Sequence, residues 1–318
     1  MMSKVRVLIS LLCVTGVCVF LRDSSLETFL ERSLQHQYTR PCACEKCVSE
    51  DDPLFMQRFN KSVEPFLSAK YSLSEDDFSW WKGLQAEKRN LTFYNTTVDN
   101  LFKIFPSNPD VVGPSPDRCR TCAVVGNSVN LKRSHYGPLI DSHDVILRMN
   151  HGRTEGYEAD VGKRTTHRIF YPESSMDLDN TTHLVLVPFK ILDLEWLIGA
   201  FTTGFSGKSY MPVNSKIKAK KDLVMVINPA FMRYVHVKWL EEKGRYPSTG
   251  FMALVLALHI CDEVNVFGYG ADKDGNWSHY WEKLRDKKFK TGIHPGNHEY
   301  EMIQQLAKQL KLNFYTGW

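Results

Sequence analysis

The sequence predicts an α/β protein built on one Rossmann-like open sheet, mostly parallel and flanked by helices. After Cys119, short apolar runs with strand character alternate with longer helix-like segments, which is the order typical of a parallel sheet. The 318 residues, 43% hydrophobic and 24% charged, suffice for one large globular domain. No internal repeat or low-complexity segment is evident, so residues 51–318 are predicted to form a single domain.

Residues 51–105 come first in this domain and have a mostly helical pattern. Trp80, Trp81 and Leu84 are spaced as on one face of a helix. A loop rich in proline, asparagine and glycine is predicted at 106–116. The predicted strands then follow at 123–125, 145–147, 168–170, 184–187, 223–227, 264–267 and 313–315. The predicted helices are 192–201, 230–242, 250–261 and 299–309.

An apolar run near the N-terminus decides the expected compartment. Lys4 and Arg6 precede uncharged residues 7–21, which would span roughly 23 Å as a helix. A cleaved signal peptide is one interpretation, but no small-residue cleavage site follows Leu21. We therefore expect a signal anchor at 7–21, a cytoplasmic tail at 1–6, a stem at 22–50 and a lumenal domain beyond.

Sequons and cysteines agree with a lumenal domain. Five N-x-S/T sequons occur, at Asn60, Asn90, Asn95, Asn180 and Asn276. Six cysteines follow the apolar run, at 42, 44, 47, 119, 122 and 261, and allow fifteen pairings. A zinc site at the first three is the alternative, but a lumenal compartment favours disulfides.

Polar residues follow two predicted strands at the point where each strand ends. Asn127 and Ser128 come after the first strand, and Asn150 follows the second. Ligands of α/β proteins bind beyond such strand ends. A plain turn is the alternative, and the incomplete glycine pattern disfavours a dinucleotide-binding oxidoreductase. The net charge of +4 is small, so charge alone does not indicate a nucleic-acid partner.

Four ordered motifs resemble those of the animal sialyltransferases. Residues 119–168 resemble the large sialylmotif and 245–272 the small one. HYWE at 279–282 resembles the third motif, and HPGNHE at 294–299 has the His-x4-Glu spacing of the very small motif. The segments RYPSTG, VPFK and YPES most resemble β-galactoside α2,3-sialyltransferases that act on Galβ1-3GalNAc. The resemblance implies a GT-A-like variant of the Rossmann fold and a type II protein of the Golgi membrane.

The resemblance also implies roles for individual residues. His294 would be the general base, and His279 would neutralise or protonate the departing CMP phosphate. Glu299 could orient an imidazole or cap the last helix. The residues assigned to the donor, CMP-sialic acid, are Asn127, Ser128, Asn150, Tyr210, Ser248, Thr249, Gly250, Gly270 and Trp277. Those assigned to the acceptor are Gln85, Tyr171 and Tyr246. Tyr210 is also a candidate surface on which the acceptor sugar could pack.

Some of these positions have ordinary structural interpretations. Ser248 could simply cap the helix predicted at 250–261, although a helix N-terminus also presents free amides to an anion. Two Asp-x-Asp strings, at 177–179 and 272–274, could hold a metal, but the aspartates lie in turn-rich segments where they bond to nearby backbone. Sialyltransferases of this type work without a metal, so we expect no metal and no other cofactor.

The implied disulfides and partners complete the expectations. The resemblance implies the pairs Cys122–Cys261, Cys44–Cys119 and Cys42–Cys47. The expected partners are CMP-sialic acid, galactose-terminated O-glycans or glycolipids, the membrane and a second copy of the chain in a homodimer. The expected activity is inverting α2,3 transfer of sialic acid to Galβ1-3GalNAc. Transfer to Galβ1-4GlcNAc and a non-catalytic glycan-binding homologue are the alternatives.

Overall fold

The computed structural model describes residues 41–48, 52–109, 115–283 and 292–317. Seven strands form one sheet within them, and each of the seven predicted strands is present with bounds shifted by no more than two residues. They are β1 (Thr121–Val125), β2 (Val145–Met149), β3 (His167–Phe170), β4 (His183–Leu186), β5 (Val224–Val226), β6 (Glu263–Phe267) and β7 (Asn313–Tyr315).

The sheet is parallel throughout, which confirms the predicted fold class. Its strand order is β5-β4-β3-β2-β1-β6-β7. The chain builds outward from β1 to β5 and then returns to the other side of β1 for β6 and β7. The reversal lies between β1 and β6, and such a switch point leaves a crevice at the carboxyl ends of the strands.

Both faces of the sheet are covered. In β1, Cys122 and Val124 belong to the larger core on one face, whereas Ala123 and Val125 belong to the smaller core on the other. Because successive side chains of a strand point to opposite faces, a strand buried on both faces must be apolar throughout. This is why the strands were recognisable as continuous apolar runs.

Nine α-helices lie within the described ranges. They are α1 (Pro53–Met56), α2 (Glu75–Leu84), α3 (Leu91–Phe102), α4 (Gly137–Asp141), α5 (Glu158–Val161), α6 (Ile191–Ala200), α7 (Pro229–Tyr234), α8 (Thr249–Ile260) and α9 (Gly296–Lys308). Helix α8 packs against β1, β2, β3 and β6 and is buried almost all round, which explains its apolar sequence. Since α8 leads directly into β6, its N-terminus lies at the carboxyl edge of the sheet.

Two helix predictions need correction. Residues 51–105 are less helical than predicted, because the chain between α1 and α2 has no helix. The helix predicted at 230–242 is wrong beyond Trp239: α7 continues as a π-helical turn at Val235–Trp239 and then stops. Glu241 and Glu242 have left-handed φ values of 51° and 62°, which turn the chain away from the helix axis.

Three disulfides join the pairs that the resemblance implied. They are Cys42–Cys47, Cys44–Cys119 and Cys122–Cys261, separated by 5, 75 and 139 residues respectively. The third bond ties β1 to the segment between α8 and β6, on either side of the switch point. The second holds the segment at 41–48 against the entry to β1.

The described residues contain no helix with the length and apolarity needed to cross a membrane. The tail predicted at 1–6, the anchor at 7–21 and most of the stem at 22–50 lie outside the described residues. Those three predictions therefore stay predictions.

Candidate active site

A cavity of about 460 Å³ opens at the carboxyl ends of β1 and β6, at the switch point of the sheet. Eleven residues of its lining were predicted from the sequence: Asn127, Ser128, Asn150, Tyr171, Ser248, Thr249, Gly250, Gly270, Trp277, His279 and His294. Its lining also includes Gly126, which precedes Asn127, and Glu299 of the very small motif, for which the sequence suggested other roles. The residues that the sequence prediction missed are Met149, Gly268, Tyr269, Ser278 and Gly292. The strand-end rule that singled out Asn127 would have found Gly268 and Tyr269, because they follow β6 in the same way.

Glycines bring the ends of β1 and β6 together at the floor of this cavity. A side-chain carbon at Gly126 would lie 2.2 Å from the Gly268 carbonyl oxygen, which is closer than real atoms approach. Gly270 has a φ of 95°, and a side-chain carbon there would lie 2.5 Å from the Tyr300 ring. A larger residue at Gly126 would therefore displace the backbone of the cavity floor, and one at Gly270 would be strained by the left-handed φ and would collide with the Tyr300 ring.

The two asparagines at the strand ends are tied to one turn. Asn127 Nδ2 donates a hydrogen bond to the Met149 carbonyl (3.3 Å). Asn150 has a left-handed φ of 50°, and its Oδ1 accepts a hydrogen bond from the Ser174 hydroxyl (2.8 Å). Because that contact occupies the acceptor end of the Asn150 amide, the Nδ2 donor end is available to a ligand's oxygen atoms.

The N-terminus of α8 forms another wall. Ser248 caps the helix, as its ordinary interpretation predicted, because its Oγ accepts from Phe251 N (3.0 Å). The next two amides, of Thr249 and Gly250, line the cavity and take no intrahelical partner. These amides and the positive end of the helix dipole favour an anion at this wall.

Glu299 has neither of the two roles considered from the sequence. Its Oε1 accepts from Ser248 N (2.7 Å) and its Oε2 from the Ser248 hydroxyl (2.6 Å). Burial raises the pKa of Glu299, against the lowering effect of these two bonds. The carboxylate therefore links α9 to the first turn of α8. The sequence could not reveal this, because 51 residues separate the partners.

His294 lies beside Tyr246 at the edge of the cavity. Its ring packs edge-on against the Tyr246 ring, with centroids 5.2 Å apart. His294 Nδ1 lies 3.3 Å from the Tyr246 carbonyl oxygen, which can only accept, so Nδ1 carries the hydrogen. The lone pair of the neutral ring is then on Nε2. Burial lowers the pKa of His294 below its ordinary value, which keeps the ring neutral and able to accept a proton.

His279 lies on the segment that packs against the end of β1. A bridge between Ser128 and His279 anchors the segment, and Tyr280 N donates to the Asn127 carbonyl (3.0 Å). The His279 ring stacks on Trp281 at 4.6 Å, and its Nδ1 lies 2.9 Å from Glu282 Oε1. The pKa of Glu282 is lowered overall. Burial by itself would raise this pKa, but the hydrogen bonds from His279 together have the larger, opposite effect.

The residues predicted for the acceptor lie on one side of His294. Tyr171 lines the cavity itself. Tyr246 is buried between His294 and Phe189, and Gln85, at the end of α2, lies near enough to its hydroxyl to offset part of the rise in pKa that burial causes. Tyr210 does not line the cavity: it is 65% exposed, with Lys190 Nζ 5.4 Å from its ring centroid. The structure thus places His294 and Tyr171 in the cavity lining and Tyr246 against the His294 ring, whereas Gln85, Tyr246 and Tyr210 do not line the cavity.

The Asp-x-Asp strings are engaged in local bonds. Asp272 accepts from the Asp274 and Asn276 amides and from Asn276 Nδ2, while Asp179 accepts from Thr181. This is the backbone bonding expected of aspartates in turns. Asn276 is only 3% exposed, so its sequon is held in the fold next to the cavity.

Replacing Asn150 with alanine is expected to weaken CMP binding roughly tenfold to a hundredfold, because it removes the hydrogen bond to a charged group that the motif resemblance implies for this side chain. Asn150→Gly is the matched variant, since glycine tolerates the φ of 50° and removes only the carboxamide. Isothermal titration calorimetry with CMP measures both. Unchanged affinity in the glycine variant would remove Asn150 from the ligand site.

A crevice of this kind is typical of α/β enzymes that hold an anionic ligand at the switch point of a parallel sheet and move a proton beside it. Residues 66–311 match the family model described as glycosyltransferase family 29 (sialyltransferase). The chain belongs to this family.

Named relatives and solved structures agree with the family. A relative from Sus scrofa, named CMP-N-acetylneuraminate-beta-galactosamide-alpha-2,3-sialyltransferase 1, is 48% identical over 284 residues, covering 87% of this chain and 82% of the relative. A crystal structure of a mammalian sialyltransferase aligns with a TM-score of 0.80 at 47% identity, over 88% of this chain and all of that one. A second, in complex with Gal-beta-1-3GalNAc-ortho-nitrophenol, has a TM-score of 0.79 at 46% identity and covers 87% and 100%.

Proposed function

We propose that the chain transfers sialic acid from CMP-N-acetylneuraminate to the 3-hydroxyl of terminal galactose in Galβ1-3GalNAc glycans, with inversion and an α2,3 linkage. The observation that carries this proposal is that His294 and His279 line the same cavity as Asn127 and Asn150. The printed names of the relatives support the linkage and the donor. The acceptor analogue in the similar crystal structure supports the Galβ1-3GalNAc preference.

The reaction needs one base and one leaving-group acid. His294 Nε2 removes the proton of the galactose 3-hydroxyl as its oxygen attacks the anomeric carbon of the sialic acid. The bond from that carbon to the phosphate oxygen breaks, and its electron pair leaves with CMP. His279, polarised by Glu282 at 2.9 Å, neutralises or protonates the departing phosphate. The amides of Thr249 and Gly250 stabilise the anionic end of the donor.

An acceptor competition tests the proposal. The full chain, expressed in an oxidising secretory host and purified, is mixed with CMP-sialic acid and equal amounts of Galβ1-3GalNAc, Galβ1-4GlcNAc and lactose. We expect CMP release with sialylated Galβ1-3GalNAc as the main product, identified by mass spectrometry and linkage-specific sialidase. Preference for Galβ1-4GlcNAc would contradict the acceptor assignment. CMP binding without turnover would favour a non-catalytic glycan-binding protein.

Metal independence is part of the same proposal. Protein groups, chiefly His279 and the N-terminus of α8, are proposed to meet the phosphate charge that a divalent cation meets in other sugar-nucleotide enzymes. We expect the initial rate in excess EDTA to equal that in Mn²⁺ or Mg²⁺. A rate that falls in EDTA and recovers with Mn²⁺ would contradict this assignment.

We also propose that the domain works in the Golgi lumen as a single-pass type II membrane protein. The family supports this compartment, and six cysteines paired in three disulfides suit an oxidising lumen. Protease protection of the catalytic domain in intact microsomes, lost on adding detergent, is the expected result. Cleavage without detergent would place the domain on the cytosolic side.

A further inference from the structure

Two arginines lie buried beneath the cavity and are outside the chemistry proposed above. Arg148 is 1% exposed and Arg168 is 5% exposed. The strand register pairs Val125 of β1 with Arg148 of β2, and Arg148 with Arg168 of β3. The two guanidinium-bearing residues are therefore neighbours across β2 and β3. Arg148 lies one residue before the end of β2, and Arg168 is the second residue of β3.

Arg168 contacts one of these turns directly. Its Nη1 donates to the carbonyl oxygens of Asn150 (3.2 Å) and Gly152 (2.9 Å). A side-chain carbon at Gly152 would lie 2.8 Å from Asn127 Oδ1 and 3.5 Å from Arg168 Nη1, so these groups are closely packed. One guanidinium thus bonds to both ends of the left-handed turn at Asn150.

Neither arginine has an acidic partner at salt-bridge distance in the part of the chain that the structure describes. Arg148 donates instead to the carbonyl oxygens of Val161 and Arg164. Burial lowers the pKa of each arginine to about 10, and for Arg148 the charge of Arg168 adds to the effect. Both therefore stay charged at neutral pH. Two like charges buried with no acidic group at salt-bridge distance, Asp141 acting on Arg148 only from further away, oppose folding, and an anion bound above them would offset that cost.

We propose that Arg168 is a positioning residue for the nucleotide. Its guanidinium braces the turn at 150–152 that presents Asn150. Together with Arg148 it supplies buried positive charge, which favours a phosphate-bearing ligand over the neutral nucleoside. This rests on the proposed CMP-sugar donor. The sequence could not reveal it, because Arg168 is an ordinary strand residue there and its partners are 16 and 18 residues away.

Two substitutions at Arg168 separate bracing from charge. Arg168→Lys keeps the charge but replaces the rigid guanidinium, whose Nη1 donates to both carbonyl groups, with a flexible ammonium, and Arg168→Met loses both the charge and the donors. We expect the methionine variant to bind CMP roughly tenfold more weakly, or worse, and to lose much of its preference for CMP over cytidine. The lysine variant should recover that preference while its affinity for both ligands stays low. Titration calorimetry with CMP and with cytidine measures these affinities.

Steady-state kinetics and a remote variant supply the controls. The KM for CMP-sialic acid should rise in both Arg168 variants while the KM for the acceptor stays unchanged. Arg233→Met removes an ion pair with Asp77 (2.9 Å) between α2 and α7, away from the cavity lining. It should lower the melting temperature without changing the CMP dissociation constant.

Several results would overturn the proposal. One is a folded Arg168→Met variant with unchanged CMP affinity and unchanged preference over cytidine. Another is an Arg233→Met variant whose CMP affinity falls along with its stability, since stability alone would then explain the effect. If the Arg168→Met variant does not fold, the unmodified protein still tests the charge effect. Equal affinity of that protein for CMP and cytidine would refute the claim that the buried arginines favour a phosphate-bearing ligand. Turnover tests the enzymatic function separately, because all these binding measurements need no acceptor.

Discussion

The His294→Ala variant is expected to lose transfer activity by a factor of about 10² to 10⁴, the range that a general base contributes. CMP binding should be largely intact, because the contacts proposed for the donor are those of Asn127, Asn150 and the N-terminus of α8, not that of the imidazole. Initial rates with saturating donor and acceptor measure the first effect, and titration calorimetry with CMP measures the second.

A second histidine provides the matched control. His298 lies in the first turn of α9, four residues after His294, and its Nδ1 is 3.8 Å from Glu301 and 3.5 Å from Lys243 Nζ. It does not line the cavity, so His298→Ala should retain activity close to that of the unmodified enzyme. Normal turnover by His294→Ala would refute the general-base assignment. Equal loss in both variants would show that damage to α9, not chemistry, explains the result.

The pH dependence provides an independent check on His294. Burial lowers its pKa from the ordinary value of 6.5, and the base must be unprotonated to work. Activity should therefore be retained as the pH falls to 6.5 and be lost only as it falls through the lower pKa of the folded protein. The acid limb of kcat/KM measures this pKa in the free enzyme. If the midpoint of the acid limb lay above pH 6.5, a group other than His294 would control the rate.

The Cys122→Ser variant is expected to be the most destabilising of the substitutions considered. The bond to Cys261 spans 139 residues, and on the chain-entropy model a loop of that length contributes about 5 kcal/mol. The change also places a hydroxyl at a position that is 0% exposed. We expect little soluble secreted protein, and a much lower melting temperature for any that is recovered.

The shortest disulfide is the natural comparison. Cys42 and Cys47 are only five residues apart, so the same model gives a contribution of about 2 kcal/mol. The Cys42→Ser/Cys47→Ser double variant should therefore fold and show a smaller loss of melting temperature than Cys122→Ser/Cys261→Ser. A soluble and fully active Cys122→Ser variant would contradict a stabilising role for the long-range bond.

Local patterns were sufficient for the strands and for most of the cavity. Parallel strands buried on both faces must be apolar throughout, so β1 to β7 were visible in the sequence. Because ligands bind where such strands end, Asn127 and Asn150 could be selected by position. The motif resemblance then added His279 and His294, and the structure brings both of them into the lining of the same cavity as those asparagines.

Long-range partners were not visible in the same way. The carboxylate of Glu299 bonds to Ser248, and the guanidinium of Arg168 bonds to the turn at 150–152. Neither contact leaves a periodic pattern in the sequence, because each depends on where distant elements pack. The exposed position of Tyr210 outside the cavity is likewise a property of how its loop packs.

The sequence by itself determined the element order and the chemical identity of the groups at the strand ends, because hydrophobic periodicity and strand-end position are local properties. Only the tertiary structure decided the strand order, with its reversal between β1 and β6, and the way α8, α9 and β3 brace the cavity. The physical reason is that those features are contacts between residues far apart in the chain, and their free energy exists only once the sheet has assembled.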